Sequence, residues 1–214
     1  MSPLIRSRGY LPHWEDDYPV YFVTFRLADS LPRELLARLG KERESLVRGA
    51  RAGTDLTADS ARLRKSRAIL RKSETRLDDG LGACYMRDRR IAKIVADVIR
   101  HFDGERYRLL AWCVMPNHAH AVFSPLGEWK LEGIVHSWKS FSASAANRVL
   151  GRSGAFWQRE YFDRWIRNEK ELCSVIRYVE LNPVKAGLAL RIEDWPWSSA
   201  AKRTGDKIAG APTG

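Results

Sequence analysis

Apolar residues recur along this chain with two different periods. Val20 to Leu27, VYFVTFRL, is rich in β-branched and aromatic residues and predicts a strand. Ile91, Ile94, Val95, Val98, Ile99 and Phe102 fall on one face of a 3.6-residue repeat, so 91–102 predicts an amphipathic helix. Arg106 to Met115 and His118 to Ser124 read as two more strands. Only Pro116, Asn117 and their neighbours separate them, which predicts an antiparallel hairpin. Leu131 to Leu150 reads as a helix ended by Gly151. The segment AFWQREYFDRWI holds a further candidate strand. Asn168 to about Leu181 predicts a last helix, with Asn168 as N-cap and with Pro183 and Gly187 ending it.

Between the first strand and the 91–102 helix the pattern changes. Asp29-Ser30 and Pro32 open a helix through ELLARLGKERESLV, and a Gly-containing link follows at 49–59. Arg62 to Leu77 is a second helical stretch, with Leu63, Leu70 and Leu77 seven apart. Seven basic residues and one acidic residue, Glu74, fill out that stretch. It is a DNA-facing helix or a solvated one. The element order fits an α+β chain with a ferredoxin-like βαββαβ antiparallel sheet and helices on one face. A helical insertion at about 49–90 and a C-terminal tail decorate it. The expected divisions are an arm at 1–19, a central domain at 20–188 and a tail at 189–214.

Composition narrows the function. The 214 residues carry a formal charge of +11, and an excess that large favours a polyanionic partner, most often nucleic acid. Cys84, Cys113 and Cys173 are widely spaced, without a C-x-x-C pair, which fits a reduced, cytoplasmic compartment. The opening MSPLIRSRGYLPHWEDD lacks an apolar core, so no secretory signal is expected. No apolar run approaches the length of a membrane span.

The stretch MPNHAH carries the first candidate chemistry. On a strand, His118 and His120 project to the same face, about 6–7 Å apart at the backbone, close enough to share one metal ion. On a helix they would diverge. Ala119 then faces the other way. Two histidines do not complete a metal site, so a third ligand must come from elsewhere. In RYVELNPVKAGL, Tyr178 and Asn182 are four apart on a helix and share a face. An amide oxygen suits a hard divalent cation, and a phenol on that face would sit beside it. Each residue also has a plain structural reading: a core aromatic for Tyr178, and a helix terminator for Asn182.

MPNHAHAVF, FWQREYFDRWI and RYVELNPVKAGL, in that order, resemble the single-tyrosine HUH transposases, named for His, a hydrophobic residue and His. GYLPHW, YFVTFRLADSLP and DWPWSS resemble the REP-associated tyrosine transposase branch, and the likeness runs from about residue 8 to 200. The resemblance implies His118 and His120 as metal ligands, Asn182 as the third ligand and Tyr178 as the nucleophile. It implies Mg²⁺ or Mn²⁺ as the ion, no small-molecule cofactor, and single-stranded DNA with REP-like hairpins as the substrate. It further implies cleavage and rejoining through a 5′-phosphotyrosine. The chain would act as a monomer or as a homodimer. The domain at 20–188 would be the HUH transposase catalytic domain.

Grip on DNA would be mostly electrostatic. Candidates are Arg6, Arg8, the basic stretch 62–76, Lys130, Lys139, Arg159, Arg164, Arg167, Arg177 and Lys185. Trp138, Trp157 and Trp165 are candidates for stacking on unpaired bases, with core packing as the plainer reading of each. Tyr161 is a rival nucleophile that lacks an i+4 ligand partner. The competing functions are a replication-initiation HUH nuclease and a non-catalytic nucleic-acid-binding module on the same fold. A zinc hydrolase is weaker, because no third clustered His or Cys is present.

Overall fold

A computed structural model describes residues 19–30 and 81–201. The helices expected around ELLARLGKERESLV and 62–77 lie outside the described residues, as do Arg6, Arg8 and the end of the tail. Strand β1 is Val20–Arg26, helix α1 Arg89–Arg100, strands β2 and β3 Tyr107–Val114 and His118–Pro125. Helix α2 is Leu131–Val149, strand β4 Phe162–Ile166 and helix α3 Glu169–Lys185. The strands form one antiparallel sheet in the order β2-β3-β1-β4. That is the ferredoxin-like order expected from the sequence, with the candidate strand in AFWQREYFDRWI taking the β4 edge.

Alternation along the strands divides the interior in two. Val23, Phe25, Ala119, Ala121 and Phe123 face α1 and α2, meeting Ile91, Val95, Ile99, Val135 and Trp138. Val20, Phe22, Ala111, Cys113 and Val122 face α3, meeting Leu172, Val175 and Val179. The expectation of helices on one face therefore holds for α1 and α2 and fails for α3, which covers the opposite face. Its apolar stripe finds a second buried layer because β1, β2 and β3 each carry apolar residues on both sides. A bulge between Leu109 and Ala111 breaks the alternation of β2, so Leu110 and Ala111 pack on the same side.

Local chemistry fixes the helix ends. The Asp88 carboxylate accepts from Arg90 N at 2.9 Å and starts α1, two residues ahead of the expected start. The Asn168 amide oxygen accepts from Glu171 N at 2.9 Å and starts α3. Pro183 does not end α3, as its type suggested; the helix runs on to Lys185 with Pro183 inside it. The last turn is secured from the other side. Leu188 N donates to Pro183 O at 2.8 Å and Gly187 N to Val184 O at 3.0 Å, the paired bonds of a Schellman cap. Gly187 takes the left-handed φ of 67° that this cap requires.

The tail is partly ordered. Val114 N donates to Trp197 O at 2.8 Å and Ser199 N to Trp112 O at 2.9 Å, so residues around Ser198 add to the outer edge of β2. Trp195 Nε1 also donates to Val114 O at 3.0 Å. Among the described residues no helix is long and apolar enough to cross a membrane.

Candidate active site

The hairpin between β2 and β3 delivers the two histidines. Met115 N donates to His118 O at 2.8 Å, closing a tight turn over Pro116 and Asn117. Asn117 O in turn accepts from Leu27 N at 2.8 Å, which ties the turn to the end of β1. From this turn β3 starts at His118, and alternation sends both imidazoles toward α3. They are buried, at 1% and 0% exposure, and their Nε2 atoms stand 3.0 Å apart.

Each ring is oriented through its other nitrogen. His118 Nδ1 donates to Asn117 Oδ1 at 2.7 Å, while the Asn117 amide nitrogen donates to Leu81 O at 3.0 Å. His120 Nδ1 lies 2.8 Å from Thr24 Oγ1 on β1. Such outer partners fix ring angle and tautomer in metal sites. Helix α3 supplies the rest. The Asn182 amide nitrogen is 3.1 Å from His120 Nε2 and donates to the Tyr178 hydroxyl at 3.2 Å. Phe22 packs beside His120 and against the edge of Tyr178, with centroids 5.6 and 6.0 Å away.

Burial holds both imidazoles neutral: the His120 pKa is lowered to about 3 by desolvation, and that of His118 falls well below the usual range. Desolvation is the main cause for His118, followed by the charges of His120 and Arg26. With Nδ1 of His118 donating to Asn117, its Nε2 presents a bare lone pair. His120 Nε2 must then donate to His118 to make that contact favourable, yet it must accept to satisfy Asn182. One nitrogen cannot do both while the amide nitrogen faces it.

The spacing of these groups also suits a cation. Neighbouring corners of an octahedron with bonds of about 2.1 Å lie about 3.0 Å apart, the observed Nε2 separation. The Asn182 Oδ1 atom is buried without a hydrogen-bond partner. Rotating the amide by half a turn would place that oxygen beside the His120 nitrogen. The donor set of two imidazoles and one amide oxygen thus fits a divalent metal. No cluster of three His, Cys, Asp or Glu side chains occurs among the described residues, so the set depends on the amide.

The remaining candidates scatter. Arg177 and Lys185 are exposed on α3, and Lys185 Nζ lies 5.2 Å from the centre of the Tyr178 ring. Arg164 is ion-paired with Glu171. Lys139 Nζ donates to Arg159 O at 2.6 Å and lies 5.6 Å from the Tyr161 ring, so Tyr161 packs beside α2 rather than at the histidines. Lys130, Arg159 and Arg167 are exposed. Trp138 and Trp157 are core residues, 2% and 6% exposed, and stacking on bases is excluded for them in this fold; Trp165 is exposed. Thr24, Asn117 and Arg26 adjoin the site and escaped the sequence reading. Asn117 was open to discovery, because it immediately precedes His118. For Thr24 and Arg26 only the strand register reveals it.

Comparison with known proteins agrees with the motifs. Residues 85–182 match the family described as Transposase IS200 like. A Haemophilus influenzae (strain Rd KW20) protein, assigned by name to the REP-associated tyrosine transposases, is 27% identical over 103 residues. The aligned region covers 44% of this chain and 58% of that protein. The Escherichia coli K12 REP-associated tyrosine transposase is 27% identical over 94 residues, covering 44% of this chain and 54% of that one. The match thus spans a little over half the length of these curated relatives. A solved structure of a REP-associated tyrosine transposase bound to a REP hairpin aligns with a TM-score of 0.47 and 17% identity. That alignment covers 87% of this chain and 81% of the other. The resemblance read from the sequence motifs is met by the family match and by both curated relatives.

Proposed function

We propose, from the match of residues 85–182 to the IS200-like transposases, that this chain is a metal-dependent single-stranded DNA transposase. It would nick and rejoin hairpin DNA through Tyr178. The observation that carries the reading is the meeting of His118 Nε2, His120 Nε2, the Asn182 amide and the Tyr178 hydroxyl at one point. All four residues fall inside the matched region. The names of the curated relatives support REP-like hairpins as the substrate class.

His118, His120 and Asn182 would hold one Mg²⁺ or Mn²⁺. When bound, that ion supplies positive charge that neutralises and orients the scissile phosphate. The chain's own groups do the rest. Asn117 and Thr24 hold the imidazoles at fixed angles, so little reorganisation is needed. Tyr178 lies one helical turn before Asn182, with its hydroxyl 3.2 Å from that amide, which keeps the phenol beside the proposed ligand. Tyr178 Oη attacks phosphorus: an O–P bond forms to tyrosine, and the bond from phosphorus to the 3′ oxygen breaks. The phenol proton passes to solvent and the departing 3′ oxygen takes one up. A free phenol is only about one part in a thousand ionised at pH 7, so attack needs help. Lys185 provides a positive charge beside the ring that becomes phenolate. Because the phosphodiester energy is kept in the tyrosine link, a 3′-OH can reverse the step without ATP.

Arg177 and Lys185, on the same helix as Tyr178, are the DNA-contacting residues that this placement favours; Lys139, Arg159 and Arg164 contribute further from the centre. Arg6 and Arg8 belong to the proposed arm at 1–19, ahead of a catalytic domain at 20–188 and a tail at 189–214. The chain would act in the cytoplasm, as a monomer or a homodimer.

A denaturing gel tests the chemistry. Purified protein, Mn²⁺ and end-labelled single-stranded hairpin oligonucleotides from beside the gene would be run with wild type and Tyr178→Phe. The expected result is a slow band joining protein to the downstream fragment, lost in the variant and after chelation. Cleavage that survives Tyr178→Phe would hand the attack to water or Tyr161. Binding without cleavage, on a panel holding the true hairpin, would make this a binding module.

A further inference from the structure

Strand β1 acts as a ruler along the site. Phe22, Thr24 and Arg26 alternate onto the α3 face, at steps of about 6–7 Å. Phe22 touches Tyr178, with ring centres 6.0 Å apart. Thr24 holds His120. Arg26 pairs in register with His118. The order along the strand is therefore Tyr178 beside Phe22, His120 beside Thr24, and His118 level with Arg26. Arg26 stands at the His118 end of the site, two same-face steps from the residue that touches Tyr178.

The environment of Arg26 is unusual for a cation. Its Nε is buried without a hydrogen-bond partner. One terminal nitrogen donates to Gln158 Oε1 at a long 3.4 Å. Gln158 is itself well fixed: its backbone N donates to Arg26 O at 2.9 Å and its side-chain nitrogen to Ala28 O at 3.1 Å. No carboxylate forms an ion pair with Arg26 among the described residues. The second cation nearby, Lys139, adds charge of the same sign, and the Glu160 carboxylate close to it acts on Lys139. Taking a guanidinium out of water without a counter-charge is costly, and a bound anion removes that cost.

We propose that Arg26 receives a backbone phosphate of the DNA strand on the 3′-OH side of the cut. The inference rests on Tyr178 as the nucleophile, because in-line attack puts the leaving 3′ oxygen opposite the attacking one. It adds a task that the covalent link does not perform. After cleavage the downstream fragment is bonded to Tyr178, while the upstream fragment has no bond to the protein. Arg26, gripping that fragment through a planar fork suited to phosphate, would keep the 3′-OH in place for rejoining.

The test is a binding cycle on the full chain, in the Tyr178→Phe background so that the DNA stays intact. The cut position is first read with wild type on the hairpin oligonucleotides above. Affinity is then followed by fluorescence anisotropy with Mn²⁺, using oligonucleotides in which single phosphates are replaced by neutral methylphosphonates. Arg26→Gln is expected to weaken binding roughly tenfold or more, the scale of a lost charge-assisted contact. At one phosphate upstream of the cut, the methylphosphonate should weaken binding by Arg26 protein and leave Arg26→Gln unaffected; elsewhere the two losses should multiply. Coupling downstream of the cut, or at no phosphate, overturns the proposal. Thermal melts check folding, and if Arg26→Gln unfolds, Arg26→Lys carries the same cycle, since it keeps the charge and loses the fork. Should wild type form no adduct, the nucleophile reading fails by itself. Coupling at any one phosphate would then still identify Arg26 as a phosphate site, and coupling at none would remove it.

Discussion

The two faces of one sheet are built from the same strands and do different work. On the side of α1 and α2, β3 contributes Ala119, Ala121 and Phe123, and the polar atoms among them are paired. Tyr107 donates to Ile99 O at 2.7 Å, Trp138 Nε1 donates to Tyr107 at 3.0 Å, and Trp157 Nε1 to Ser142 at 2.9 Å. On the side of α3, the residues alternating with those three are His118, His120 and Val122. There two imidazole nitrogens stand 3.0 Å apart and the Asn182 amide oxygen has no hydrogen-bond partner. Rule-following packing on one side supports, on the other, a cluster whose donor set fits a cation. The difference teaches that a period-2 strand can combine a stability layer and a reactive layer at single-residue resolution.

The comparison can be broken from either side. The largest expected effect is on the apolar face. Trp138→Ala should cost about 3–5 kcal/mol by opening a cavity and unpairing Tyr107, read as a lowered urea midpoint. On the polar face, Mn²⁺ should stabilise the protein by about 3 kcal/mol at a hundredfold excess over its dissociation constant. His118→Ala should abolish that gain in a melt that involves no DNA. The two faces should also fail at opposite ends of the pH scale. The unfolded chain protonates its histidines below about 6.5, whereas His120 resists down to about 3 and His118 resists too. The unfolded state therefore binds more protons, and metal-free stability should fall by up to about 1.4 kcal/mol per pH unit for each histidine as pH drops below about 6.5. Tyr107 is the reverse case: burial raises its pKa, so stability is intact below about pH 10 and declines above it. Acid and alkaline denaturation of wild type against Tyr107→Phe and His118→Ala would separate the two limbs. The smallest effect should come from Asn168→Ala, which removes the α3 cap at about 1 kcal/mol and lowers the melting temperature slightly.

Much of this was legible in the sequence. The 3.6-residue stripe gave α1, the short link at Pro116-Asn117 gave the hairpin, and alternation put His118 and His120 on one face. The i,i+4 spacing put Tyr178 beside Asn182. What could not be read is how distant segments lie against each other. Thr24 and Arg26 reach the histidines only through the pairing of β1 with β3, across more than ninety residues of chain. An apolar stripe such as Leu172, Val175 and Val179 says that α3 is buried, but not on which side of the sheet. Pro183 misled for a local reason. It removes one N–H, yet the Schellman bonds after it hold the final turn, so the helix continues past Asn182.

The tail at Trp195–Ser199 has an effect beyond its own few bonds. By pairing with Trp112–Val114 on the outer rim of β2, it takes up backbone donors and acceptors that an incoming strand would otherwise use. The end of β2 that leads into the His118–His120 hairpin is thereby closed to strand addition.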